Sequence, residues 1–329
     1  MLRSMYSGIS GLRNFQTKLD VIGNNIANVN THGFKKSRVI FKDLISQTQS
    51  GASSPSATRG GVNPKQVGLG AQMSAIDVMH GQGSMQSTGY TLDMAISGDG
   101  FFIVGDSTGT GRDEFGNIQD GGGDSAIDGL VYTRAGNFYM DPDGYLVNAD
   151  GKYLYGHANE NIYTYYTDFD GAAEPEKGTT NFNTDKEANG ISGTTTDLSA
   201  EDIEVGPIRI PKDAQKMGIS QDGTISYVDA AGELQYAGQA ILGKFSNPGG
   251  MEKVGGNYYI PSQSSGNVLM QAGSVAGIGT VESGYLEMSN VDLSEEFTEM
   301  IVAQRGFQAN TRIITTSDEI LQELVNLKR

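Results

Sequence analysis

The chain has 329 residues, a formal net charge of −16, 46 glycines and no cysteine. Without cysteine it has no disulfide, no thiolate metal site and no cysteine nucleophile, and the negative charge argues against nucleic acid as the main partner. The length suits two or three domains, and the many glycines beside 15 tyrosines and 12 phenylalanines indicate β-structure with tight turns.

The first predicted element is a long amphipathic helix at the N-terminus. No proline precedes Pro55, so nothing in the sequence interrupts a helix there. Asparagines from Asn24 to Asn30, followed by Gly33, mark its end, because both residue types tolerate the left-handed cap conformation. Apolar residues recur at steps of three and four, a heptad-like seam on one helix face: Leu2, Met5, Ile9, Leu12, Phe15, Leu19, Ile22 and Ile26.

After the first helix the pattern changes to a period of two with glycine turns. Residues 46–75 are predicted to be a linker, because their first part is rich in Ser, Gly and Gln. Residues 76–156 and 205–285 are predicted to form a mainly antiparallel β body, with Asp143-Gly144 and Asp222-Gly223 as hairpin turns.

Two polar stretches interrupt the β body. Residues 105–128 are rich in Gly and Asp and are predicted to be a long loop. Residues 157–204 are rich in Thr, Asn, Glu and Gly, and we expect them to form a small inserted domain or a flap.

A second long helix is predicted at the C-terminus. Asp292 and Glu295 have the spacing of a capping box, and a helix from Leu293 to Lys328 would be about 54 Å long. Its apolar residues again recur at helical spacing: Phe297, Met300, Ile301, Phe307, Ile314, Leu321, Leu324 and Leu327.

The predicted fold is therefore α+β. Residues 1–45 and 286–329 would form a discontinuous, coiled-coil-like domain of paired terminal helices that flanks the β body. The first 44 residues are basic and the last 40 acidic, so the two ends are expected to attract each other. Glycines in these helices weaken each of them by roughly 1 kcal/mol relative to alanine, which predicts terminal segments that become ordered on association.

No motif in the sequence predicts catalysis, a cofactor or a metal. The three histidines, His32, His80 and His157, are scattered, whereas zinc sites need three or four clustered ligands. The segment Gly238–Lys244 fits the glycine and lysine positions of a phosphate loop. Phe245, however, stands where the magnesium-binding hydroxyl belongs, and the segment itself resembles a strand.

The sequence also gives no sign of membrane insertion or ordinary secretion. No stretch approaches the ~20 consecutive apolar residues of a membrane span. The N-terminus lacks the continuous apolar run of a secretory signal.

Several motifs resemble those of the bacterial flagellar rod and hook family. The N-terminal signature lies in Gly23–Lys35 and includes Asn24, Asn25, Asn28, Thr31, Gly33 and Phe34. Further matches are Leu92–Ile96 with Gly98–Phe102, Tyr132–Phe138, and the closing run Leu286–Arg305. Within the family, Gln308–Asn310, Thr315–Leu321 and the final Leu324–Arg329 are most similar to hook proteins.

The resemblance implies a non-enzymatic subunit outside the cell, in the hook of the flagellum. It implies a homopolymer, a curved hollow tube that transmits torque from rod to filament, with the apolar residues of both terminal helices as the assembly interface. It further implies rod, hook-cap and hook–filament junction proteins as neighbours, and export by the flagellar type III apparatus.

Three alternatives stay open at this point. The nearest is a distal rod protein, built on the same plan but assembled into a straight tube. A secreted polysaccharide hydrolase would need a catalytic pair of carboxylates, and no pair stands out in the sequence. An adhesive module is suggested only by the aromatic residues Tyr163, Tyr165, Tyr166 and Phe169.

Overall fold

The computed structural model describes residues 2–55, 60–106, 130–158, 206–212, 214–230, 232–275 and 277–327. The predicted loop and insertion, and with them the aromatic cluster around Tyr165, lie almost wholly outside the described residues. The chain divides into two compact units. The terminal unit comprises Met1–Asn30, Lys35–Gly81 and Asn290–Arg329, and the β unit comprises Thr31–Phe34 and Gln82–Ser289.

The terminal unit contains the two long helices and four strands. These are α1 (Leu2–Ala27), β1 (Ser37–Asp43), β2 (Ser46–Ser50), β3 (Lys65–Gly68), β4 (Ala71–Val78) and α2 (Leu293–Asn326). Strand β1 pairs antiparallel with β4, and β2 pairs antiparallel with β3. Helix α1 packs against α2 and against the β1–β4 hairpin.

The range predicted as a linker, 46–75, contains regular structure, namely β2, β3 and the first half of β4. The residues of β2 and β3 are all exposed. A ribbon that buries neither face has no alternation of apolar and polar residues, so its polar composition did not distinguish it from a linker.

The β unit is built mainly from antiparallel strands, as predicted. Its strands are β5 (Met85–Ser87), β6 (Met94–Ser97), β7 (Phe101–Gly105), β8 (Leu130–Thr133), β9 (Phe138–Met140), β10 (Leu146–Asn148), β11 (Tyr153–Ala158), β12 (Gly206–Pro207), β13 (Lys216–Ile219), β14 (Thr224–Val228), β15 (Leu234–Phe245), β16 (Glu252–Gly255), β17 (Tyr258–Ile260), β18 (Val268–Ala272), β19 (Thr280–Ser283) and β20 (Tyr285–Glu287). A 3₁₀ turn lies at Pro248–Gly250.

Twelve of these strands form one sheet. Its main path is β13-β14-β15-β11-β7-β8-β17-β16, and β9, β10, β12 and β18 pair beside it. Both predicted hairpin turns are present, with Gly144 and Gly223 at φ +86° and +84°. Glycine suits these positions because its lack of a Cβ permits positive φ.

Strands β7 and β15 carry apolar side chains on both faces of the sheet. Phe102 and Leu242 belong to one buried cluster, whereas Phe101 and Ile241 belong to a second cluster. The continuous apolar run Phe101–Val104 is typical of a strand covered on both sides. The Gly238–Lys244 segment lies entirely within β15, so it is a core strand and not a phosphate loop.

The described residues contain no group of three or more His, Cys, Asp or Glu side chains placed to hold a metal ion. None of the helices in the described part of the chain is long and apolar enough to cross a membrane.

A buried ion pair lies in the β unit between Arg134 and Glu287. The Arg134 Nη1 to Glu287 Oε2 distance is 3.2 Å, and the two side chains are only 3% and 0% exposed. Arg134 also donates to the carbonyl oxygens of Ile96 and Gly98, at 3.3 and 2.7 Å. The other Glu287 oxygen accepts the N–H of Gly83 at 2.9 Å. Both charged groups are therefore surrounded by hydrogen-bonding partners, as burial of a charge requires.

Gly33 connects the N-terminal signature to this ion pair. Its N–H donates to the backbone carbonyl of Glu287 at 2.8 Å. Its φ is +70°, and a Cβ there would lie 2.5 Å from the backbone nitrogen of Ala135. All five of the ranges first quoted for the family resemblance, from Gly23–Lys35 to Leu286–Arg305, therefore contribute a residue to this one buried site.

We expect Arg134→Met to destabilise the β unit by about 3–5 kcal/mol, because it leaves the Glu287 carboxylate buried without its cation. The matched control is Lys212→Met, which removes the exposed ion pair with Asp143 and should cost below about 1 kcal/mol. Urea unfolding followed by far-UV circular dichroism measures both changes. Equal losses from the two variants would contradict this account.

Candidate assembly interface

Helix α2 begins at a side-chain cap. Asp292 Oδ1 accepts the N–H groups of Ser294 and Glu295, at 2.8 and 3.4 Å, so the N-cap half of the predicted capping box is confirmed. Glu295 pairs instead with Lys36 Nζ at 2.7 Å. The helix continues to Asn326 and has 34 residues, within two residues of the predicted end.

Helices α1 and α2 pack antiparallel. Gly8 approaches Ile314, Phe15 approaches Gly306, and Lys18 Nζ pairs with Glu299 Oε2 at 2.7 Å. Residue numbers therefore increase along α1 while those of the facing residues on α2 decrease. The expected attraction between a basic first helix and an acidic second helix thus includes a direct ion pair. Both partners of that pair are partly exposed, so its contribution to stability is small.

Glycines set the distance between the two helices. A Cβ on Gly306 would lie 2.5 Å from Cζ of Phe15, and a Cβ on Gly11 would lie 2.8 Å from Nδ2 of Asn310. The interpretation that these glycines serve to weaken the helices is therefore incomplete. Gly8, Gly11 and Gly306 lie where the helices approach each other, and only Gly23 has open space around it.

The buried side of α2 is a seam that contains few of the large apolar residues. Its buried or half-buried residues recur at steps of three and four: Glu296, Met300, Ala303, Gly306, Asn310, Ile314, Ser317 and Leu321. Only Met300, Ile314 and Leu321 of this set were predicted as interface residues. The others are small or polar and give no apolar periodicity, so the pattern in the sequence did not indicate them.

The remaining predicted residues of α2 are exposed. They are Phe297, Ile301, Phe307, Leu324 and Leu327. On α1, Ile22 is buried, Ile9 is exposed, and Met5, Leu12, Phe15, Leu19 and Ile26 are half-buried.

A second apolar row, which we call the outer stripe, runs along α2. Its members are all exposed and follow steps of seven, four, seven, four and three: Val302, Ala309, Ile313, Ile320, Leu324 and Leu327. At 3.6 residues per turn the outer stripe lies about a quarter turn from the seam. Helix α2 therefore presents an exposed apolar surface in addition to the seam that α1 covers.

A polar cluster lies where α1 ends and α2 begins. Asn25 is buried; its Nδ2 donates to the carbonyl oxygen of Ser37 at 2.9 Å, and its Oδ1 accepts the Ser37 N–H at 3.0 Å. The same Nδ2 lies 3.3 and 3.2 Å from the two carboxylate oxygens of Glu296, a residue only 6% exposed. Asn25 therefore joins α1, β1 and α2.

Glu296 is a buried acid that forms no ion pair among the described residues. Burial raises the pKa of its carboxyl group above the usual range, against the opposing effects of the Asn25 hydrogen bond and the Lys36 charge. The nearby Lys36 and Lys18 form their ion pairs with Glu295 and Glu299 instead. The ionised form of Glu296 is thus disfavoured in the folded protein.

Comparison with known proteins places the chain in a family. Residues 5–35 match the model for a flagella basal body rod protein, and residues 113–227 match that for the flagellar hook protein FlgE/F/G D1 domain. Residues 282–327 match the C-terminal model of the flagellar basal body rod FlgEFG proteins.

Relatives of matching extent support this placement. The chain is 49% identical to the flagellar basal-body rod protein FlgG of Bacillus subtilis, over 331 residues and the whole of both chains. Two proteins of Borreliella burgdorferi also match over the whole of both chains. The chain is 34% identical to the flagellar hook protein FlgE of this organism over 461 residues, and 33% identical to its flagellar basal-body rod protein FlgG over 331 residues.

The chain is a structural component of the bacterial flagellum and belongs to the flagellar rod and hook protein family. It is not an enzyme, because these relatives are structural proteins.

We expect Gly306→Ala to weaken the pairing of α1 and α2 by about 1–3 kcal/mol, since the new methyl group overlaps the Phe15 ring. Gly23→Ala is the matched control. It makes the same change in an open position and should stabilise α1 by up to about 1 kcal/mol. Thermal melting at 222 nm tests the pair, and a gain in stability for both variants would show that the close approach is absent.

The charge of Glu296 predicts a pH-dependent stability. A carboxyl whose pKa is raised on folding stabilises the fold fully below its unfolded pKa of about 4.3, and that contribution is lost as pH rises through the folded pKa. Glu296→Gln should therefore melt higher than the wild type at pH 7 and show little difference at pH 4. If the melting temperature of the wild type increased relative to that of Glu296→Gln as pH rises, this assignment would be contradicted.

Proposed function

We propose that the chain is the subunit of a flagellar hook, which polymerises through α1 and α2 into a curved hollow tube that transmits torque. The observation that carries this proposal is the outer stripe: Val302 is 58% exposed and Leu324 48% exposed in the single chain. Each buried CH₂ group contributes roughly 0.8 kcal/mol, so a row of six apolar residues favours association with further copies.

The distribution of charge supports controlled association. The chain carries −16 overall, which keeps separate copies apart at low ionic strength. Salt screens this repulsion, and excluded salts such as sulfate strengthen apolar burial. Assembly of the chain should therefore be promoted by added salt.

The choice of hook over rod rests on two proteins from one organism. In Borreliella burgdorferi, 34% identity over 461 residues to the hook protein represents more identical positions than 33% over 331 residues to the rod protein. By the same count, the rod protein of Bacillus subtilis shares about as many positions with the chain as that hook protein does. The additional length of that alignment means that segments of the hook relative have no counterpart in this chain, which has 329 residues.

A distal rod subunit is the second candidate. The rod protein of Bacillus subtilis is 49% identical over 331 residues, which is higher than the identity to either Borreliella protein. A rod subunit would use the same helices, and its polymer would be straight. In both cases the neighbours would be other flagellar components. For a hook, these would be rod, hook-cap and junction proteins at its ends. Export would use the flagellar type III apparatus.

We expect the purified full-length chain, concentrated in ammonium sulfate, to form hollow curved tubes visible by electron microscopy. Ile313→Ser should abolish or greatly slow tube formation, because it places a hydroxyl in the outer stripe. Its helical signal at 222 nm should stay close to that of the wild type, since Ile313 is exposed in the single chain.

The matched control for this assay is Gln308→Ser, on another exposed side of the same helix, and it should assemble normally. Straight tubes from the wild type would replace the hook assignment with the rod assignment. Normal tubes from Ile313→Ser would contradict the role of the outer stripe in either kind of polymer.

A further inference from the structure

The seam between α1 and α2 contains many small residues. Gly8 and Gly11 on α1 meet a face of α2 that includes Ala303, Gly306 and Ser317. Phe15 lies over Gly306, but the small residue Ala303 comes one turn earlier on the same side. A displacement of α2 by one turn would place Ala303 under the Phe15 ring, and its methyl group would oppose the displacement by only about 1–3 kcal/mol. Apolar packing alone therefore favours the observed alignment by a small margin.

Exposed ion pairs do not define it either. Lys18–Glu299 and Lys36–Glu295 join long side chains at the surface, and Glu299 and Glu295 are about half-exposed. Such pairs contribute little and re-form with small shifts in geometry.

The buried Asn25–Glu296 contact is different. A one-turn slide, or a rotation of α2 about its axis, would separate the Glu296 carboxylate from the Asn25 amide and leave both groups buried without this partner. An unsatisfied buried polar group costs about 1–3 kcal/mol, and more when it is charged. Because Asn25 also holds the N–H and carbonyl groups of Ser37, α2 is aligned on the residue that fixes the start of β1.

The contact is not a strong source of stability. The Asn25 Nδ2 lies 3.2 and 3.3 Å from the carboxylate oxygens, which is beyond the usual range for a strong charge-assisted hydrogen bond. A buried carboxylate that meets only a neutral amide recovers little of its desolvation cost. A single buried polar residue in a helix–helix interface can fix its register at the expense of stability.

We propose that Glu296, through Asn25, is a positioning residue that selects a single alignment of α2 on α1. This rests on the proposed function in one respect only, namely that these are the helices that polymerise. The alignment of α2 on α1 then determines the direction in which the outer stripe faces relative to β1. Loss of the contact is expected to produce several alignments within one chain, and hence poorly ordered tubes.

The test measures alignment in the unpolymerised chain. The sequence has no cysteine, so cysteines introduced at the exposed positions Gln16 and Gln322 are the only sites for spin labels. Because these positions are far apart along the helix axes, a one-turn slide changes their separation by about 5 Å. Double electron–electron resonance at low salt resolves such a change.

The wild type and Glu296→Gln should each give one narrow distance distribution. Glu296→Leu should give a second maximum or a distribution broadened by about 5 Å, while its melting temperature stays at or above that of the wild type. Glu299→Leu makes the same change at the exposed end of the Lys18 ion pair and should keep the narrow distribution.

A single narrow distribution for Glu296→Leu would overturn the proposal. Loss of its helical signal would overturn it as well, because Glu296 would then be a stabilising residue and not a positioning one. Failure of the wild type to form tubes would count against the proposed function alone, since the distances are measured on separate chains.

Discussion

The close antiparallel approach of α1 and α2 is the constraint on which the terminal unit depends. Glycine lies at three positions where the helices meet, and a methyl group on Gly306 would overlap the Phe15 ring. The glycines lower the intrinsic stability of each helix, and the close packing of α1 on α2 offsets this loss, because packing supplies most of the stability of helices in proteins. The seam contains most of the small residues of α2 together with Met300, Ile314 and Leu321, and the other large apolar residues of α2 lie outside it.

This division explains how one helix can serve two contacts. The seam residues hold α2 to its own chain, whereas Val302, Ile313 and Ile320 face away from the seam and remain exposed. Exposed apolar rows of this kind usually mark a site of association. In the proposed polymer, the strongly negative charge of the chain would oppose that tendency until salt or neighbouring subunits favour assembly.

The sequence predicted the elements better than their contacts. Asp143-Gly144 and Asp222-Gly223 specify tight turns by backbone geometry, and the run Phe101–Val104 specifies a buried strand, so these followed from local chemistry. Arg134 and Glu287 are 153 positions apart, and no local pattern indicates that they pair. On α2, the predicted apolar set included three residues of the seam but only Leu324 and Leu327 of the outer stripe, because the partner that separates the two surfaces is α1.

Solvent access to the outer stripe tests the central claim most directly. A cysteine placed at Ile320 is small and apolar enough to leave the stripe largely intact, and it would be the only thiol in the chain. We expect rapid maleimide labelling of this thiol in separate chains and strong protection in assembled tubes, whereas a cysteine at Gln308 should be labelled in both states. Equal labelling of the Ile320 position before and after assembly would show that copies associate through some other surface.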